Sequence, residues 1–87
     1  MRVVILKPRG VFLTSDVDSV TAPGKAGELT ILPSHTAITT SLASGIIAIA
    51  KDATKQSFKI PGGFMNTKDD NVVILVHDIE RLHPEGP

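Results

Sequence analysis

Eighty-seven residues make one small domain with a single, modest core. The formal net charge is zero, 41% of residues are hydrophobic, and the only aromatics are three Phe. That balance argues against a disordered chain and a basic nucleic-acid surface, and leaves few stacking platforms for bases or sugars. The absence of cysteine excludes disulfides and thiolate metal sites.

Residues 3–6 form a short run of β-branched residues and Leu and predict a buried or half-buried strand. Lys7-Pro8-Arg9-Gly10 is a turn, residues 11–14 predict a second strand, and Ser15-Asp16 breaks it. From Val17 to Ala22 apolar and polar residues alternate weakly, with Asp18, Val20 and Ala22 on one face. Pro23-Gly24 is a turn signal, and Gly27 precedes a brief extended run over 28–32 that Pro33 stops. A polar tip, Ser34-His35-Thr36, follows.

Residues 37–42 predict another strand. Residues 45–50 have the alanines of a helix, but the leading Gly45 and the polar tip at 51–55 make them one arm of a hairpin. Residues 56–60 are the other arm, with Phe58 and Ile60 in alternation. Pro61-Gly62-Gly63 allows a tight corner or close backbone approach. Residues 64–67 are a short strand, 68–71 a polar turn, and 72–76 the clearest buried strand. Residues 77–87 are predicted as a polar tail with at most one helical turn, ended by Pro84 and Pro87.

The expected fold is all-β: a small antiparallel sandwich or flattened barrel of about eight to ten short strands, in one domain over residues 1–87. No repeat or low-complexity stretch interrupts it. No run approaches the ~18 apolar residues of a spanning helix, and Met1-Arg2-Val3 does not open a signal peptide. Any membrane contact is expected through a partner.

Several motifs in order carry a family resemblance. Gly27-Glu28-Leu29 with Ile31, Pro33 and His35, preceded by Val17 to Gly24 and followed by Gly45-Ile46-Ile47, Gly62-Gly63-Phe64 and 71–76, resembles the epsilon subunit of rotary F-type ATP synthases, called delta in mitochondria. The likeness covers nearly the whole chain. Departures are Thr30 and Ser34, where the family usually has Gly, Thr36-Ala37 in place of Ala-Pro, and Pro61 in place of Ser.

The resemblance implies a non-catalytic rotor subunit of the central stalk. It would bind gamma and the c-ring, coupling proton-driven rotation to ATP synthesis at the cytoplasmic face of an energy-transducing membrane. Glu28 would face the polar loops of the c-ring and pair with a basic residue there, fixing register more than affinity. His35 would lie on the same ring-facing edge, and Pro61, Gly62, Gly63 and Phe64 near gamma. The family usually adds a helical hairpin after the last strand. The tail at 77–87 stands in its place, so neither ATP binding nor inhibition by such helices is expected.

On residue type alone the same positions have plainer readings. Glu28 is a solvated edge charge, His35 a loop histidine bonded to backbone, and Phe64, Ile60 and Ile47 are core residues. His77 and His83, with Asp78 and Glu80 between, lack the tight spacing of a metal site. No nucleophile elbow or phosphate loop occurs, and no cofactor or small-molecule ligand is expected. The rival reading is a small β-sandwich adaptor or carbohydrate-binding module with Glu28 and His35 at its site. A metal-dependent β-barrel enzyme ranks third.

Overall fold

The computed structural model describes residues 1–34 and 37–82. Ten strands follow in chain order: β1 (Arg2–Lys7), β2 (Gly10–Asp16), β3 (Ser19–Gly24), β4 (Gly27–Ile31), β5 (Ile38–Leu42), β6 (Gly45–Lys51), β7 (Thr54–Ile60), β8 (Gly63–Lys68), β9 (Asn71–Leu75) and β10 (Glu80–Leu82). Among the described residues there is no helix, as the turn-punctuated apolar runs require. The run at 45–50 is a hairpin arm, paired antiparallel with β7 from Gly45↔Ile60 to Lys51↔Thr54.

The strands form one continuous sheet in the order β10-β7-β6-β3-β5-β8-β9-β1-β2, with β4 added to β3. It bends sharply at β3, which meets β5 at the single pair Gly24↔Leu42. The bend makes two layers: a back layer of β10, β7, β6, β3 and β4, and a front layer of β5, β8, β9, β1 and β2. Alternate residues of both layers point inward and make one core, including Val3, Ile5, Val20, Ile31, Leu42, Ile47, Phe58, Ile60, Met65, Val72 and Ile74. This is the period-2 rule, with one face of each strand removed from water.

Two features depart from the sequence reading. The expected antiparallel sandwich or flattened barrel holds for every other strand pair, but β1 and β9 pair in parallel, from Arg2↔Asn71 to Leu6↔Leu75. The first strand lies between the ninth and its own hairpin partner β2; nearly the whole chain connects β1 to β9, so no tight turn dictates their direction. The second is β10, where a polar tail was expected: Glu80, Arg81 and Leu82 pair with Lys59, Phe58 and Ser57. Three residues of mixed polarity carry no strand period, and their pairing comes from the open edge of β7.

The two ends of the sheet order meet through side chains. A register shift between Ile5 and Leu6 leaves Phe12 as the extra residue of β2, a bulge that re-aims the side chain. The Phe12 ring stands edge-on to Phe58 of β7, with centroids 5.8 Å apart and planes at 86°. The Arg81 guanidinium lies 5.6 Å from the Phe58 centroid and 5.8 Å from that of Phe12. Two of the three Phe thus close the seam between β2 and β10.

Candidate interaction surface

The front layer has an outward phase, and the strand register shows what it carries. Phe64 pairs with Leu75, Leu75 with Leu6, and Leu6 with Val11. Four apolar side chains therefore stand in a row across four neighbouring strands. Phe64 is 60% exposed, Val11 62% and Leu75 48%, with Leu6 half-buried between them. The next outward row is Thr39, Asn66, Val73, Val4 and Thr14, with Val73 and Val4 half-buried behind the first row. Arg2, Asp16 and Asn71 follow at the far end. The face thus grades from apolar to charged along its strands.

Scattered exposed apolar residues need no explanation, but a contiguous set does. Five large hydrophobic residues are strongly exposed among those described, and three of them, Val11, Phe64 and Leu75, belong to this row. The core reading holds for Ile47 and Ile60, which are buried, and fails for Phe64. Met65, not Phe64, takes the inward position of β8. The register of the 63–68 strand decides this, and a four-residue run with one Phe and one Met does not reveal it.

The corner before Phe64 supports the row. Gly62 adopts φ +139, a conformation side chains avoid, and a Cβ on it would lie 3.2 Å from the Leu42 carbonyl oxygen. A Cβ on Gly63 would collide with the Leu75 carbonyl oxygen and sit 3.0 Å from Val76 Cγ1. These glycines let β8 lie close against β9 and hold Phe64 beside Leu75. They also floor a depression of about 490 Å³ walled by Leu6, Pro8, Pro61 and Phe64. Across the Lys7-Pro8 ridge a second depression of about 450 Å³ reaches Arg9, Val11 and His77.

Glu28 is exposed and faces Pro23 across the β3–β4 hairpin, one residue from the turn. Thr30 stands on the same outward phase opposite Thr21, their hydroxyl oxygens 3.3 Å apart. His35 lies outside the described residues, as do Thr36 and residues 83–87. Its neighbour Ser34 has φ 64, a left-handed conformation that Gly adopts at less cost than Ser. The Ser34 backbone N–H donates to the Asp70 carboxylate in the β8–β9 turn. Further along, His77 is exposed and Asp78 lies 4.0 Å from Lys7 Nζ in a solvent-exposed ion pair. Among the described residues no three His, Cys, Asp or Glu side chains gather as metal ligands.

The fold is thus a small all-β module with one contiguous apolar row on its outer front face. Comparison with known proteins supplies the family. Residues 1–82 match the family model of the ATP synthase delta/epsilon chain β-sandwich domain, and the chain belongs to that family. It is 36% identical over 80 residues to the ATP synthase epsilon chain of Pelotomaculum thermopropionicum, covering 92% of this chain and 60% of that one. To the epsilon chain of Roseiflexus it is 40% identical over 77 residues, covering 88% and 55%. The chain therefore spans about 60% or less of the length of these relatives. A chain in the Euglena gracilis mitochondrial ATP synthase, solved as OSCP, F1 and c-ring, superposes with a TM-score of 0.85 at 23% identity, covering 91% of this chain and 51% of that one. One from the central stalk and c-ring of the Tetrahymena thermophila enzyme gives 0.78 at 23%, covering 92% and 65%. At that identity the two structures speak for the fold alone.

Proposed function

We propose that this chain is the β-sandwich part of a central-stalk subunit of F-type ATP synthase. It packs on gamma through its front face and stands on the c-ring through the β4 region. The observation that carries the reading is the outward row Phe64–Leu75–Leu6–Val11, beside the 61–64 segment that the family resemblance assigns to gamma. A hydrophobic face on a small rotor domain gives a partner something to bury, and fully buried contacts near the centre of an interface carry most of its energy. Glu28 is exposed on the outward phase of the β3–β4 hairpin, free to meet a basic ring loop. The assignment of His35 to the ring rests on the family resemblance alone.

In this role the subunit supplies stiffness and registration. Catalysis belongs to other subunits of the complex, and the chain reaches the cytoplasmic side of the membrane only through the ring. Residues 77–82 turn from β9 into β10 on the sandwich itself, so this segment supplies no ATP-binding or inhibitory helix.

Purified gamma from the same organism provides the test. The chain should bind it, and Phe64→Asp should weaken binding by at least about thirtyfold, the scale of a hot-spot residue, with an unchanged circular dichroism spectrum. Failure of the unaltered chain to bind gamma, or binding untouched by Phe64→Asp, would overturn the assignment. Capture of a glycan instead would favour the carbohydrate-module reading. For the ring side, Glu28→Lys should lower proton pumping per ATP hydrolysed in reconstituted vesicles while leaving stability within about 0.5 kcal/mol, since exposed charges contribute little to folding. Unchanged pumping would remove Glu28 from the ring contact.

A further inference from the structure

We infer that the partner surface seated on the front face is apolar at its centre and acidic around it: apolar side chains of gamma fill the depression beside Phe64, and carboxylates flank them. This rests on the assignment of the front face to gamma and adds the chemistry of what gamma must present there.

The apolar centre follows from shape and lining. Beside the row Phe64–Leu75–Leu6–Val11, Gly62 and Gly63 carry no side chain, and an open depression of about 490 Å³ lined also by Pro8 and Pro61 is left there. That space exceeds any one side chain, so more than one apolar group of the partner is needed to fill it.

The acidity follows from the rim. The charged and ionisable groups bordering the two depressions are Lys7, Arg9 and His77, against Asp78, whose pairing with Lys7 at 4.0 Å is long and open to solvent. Arg9 is exposed at the turn and has no ion-pair partner among the described residues. An apolar patch bordered by Arg9 and the loosely paired Lys7 favours a partner with the opposite sign at the matching positions, mainly through association rate and register.

The test measures binding of gamma at about 50 and about 300 mM salt, where screening differs strongly. The unaltered chain, Phe64→Ala, the charge-reversed double variant K7E/R9E and the neutral K7Q/R9Q are compared. The expected result is salt-weakened binding by the unaltered chain and a loss of about tenfold or more for K7E/R9E at low salt. K7Q/R9Q should fall between them and lose most of the salt dependence; it sets no second carboxylate against Asp78, so its folding is spared that repulsion. If Phe64→Ala weakens binding but both charge variants bind like the parent, the acidic-partner inference is overturned while the surface assignment survives. If the parent does not bind gamma, the assignment itself fails. Concentration-dependent self-association that Phe64→Ala abolishes would make the occupant a second copy and overturn the inference.

Discussion

The two outer faces of the sandwich are built on the same inward alternation and differ in everything else. Across the front, the first outward row is Phe64, Leu75, Leu6 and Val11. Across the back, the corresponding central row is Thr30, Thr21, Ala48 and Ser57, small or polar residues that water covers without cost. Ile46, at 51% exposure, is the one large apolar side chain strongly exposed on the back strands, and it pairs with Lys59. The core needs the inward phase of both layers and is indifferent to the outward phase. The outward phase is therefore free to vary, and only the front carries a contiguous apolar row there.

The sharpest way to break this comparison is at the corner that holds Phe64 in place. Gly63→Val should be the most damaging single change, because the new side chain would meet the Leu75 carbonyl and Val76. Opening the β8–β9 ladder should cost upwards of about 3 kcal/mol, read as a loss of urea midpoint or of soluble protein. A parent-like midpoint would mean that the corner does not fix the row.

Next come two residues of one type on opposite sides of a single sheet. Phe58 is fully buried and Phe64 is 60% exposed. Phe58→Ala should cost about 3–5 kcal/mol in unfolding free energy, whereas Phe64→Ala should cost less than about 1 kcal/mol and act on partner binding. Equal destabilisation would place Phe64 in the core after all. Smaller again is Arg81→Ala, which removes a cation from the Phe12 and Phe58 rings and should lower stability by about 0.5–1 kcal/mol, without touching gamma binding. An effect on binding and none on stability would move Arg81 from the seam to an interface.

Much of this architecture was legible in the residues. Strand-length apolar runs between Gly, Pro and Asx turns gave nearly all the strands, because turn chemistry and side-chain period are local properties. Glu28 beside a turn could be read in the same way. The face of Phe64 could not. Its neighbours Met65 and Leu75 are as apolar as the core, and only cross-strand register separates them. The parallel β1–β9 pair and the β10–β7 pair join segments far apart in sequence, so no local pattern announces them. The row itself draws one residue from each of four strands, and a list of strands without their order does not contain it.

The claim on which the account turns is that the front face is covered in the assembled enzyme and the back face is not. Because the chain has no cysteine, single reporters can be introduced on either side as Leu75→Cys and Ala48→Cys and labelled with a bulky maleimide, first in the free chain and then in the ATP synthase complex. The account expects both sites to label in the free chain, and the Leu75→Cys thiol to be protected at least about tenfold on assembly while the Ala48→Cys thiol keeps its rate. Equal labelling of the two sites in the complex, or protection of the back face alone, would contradict it.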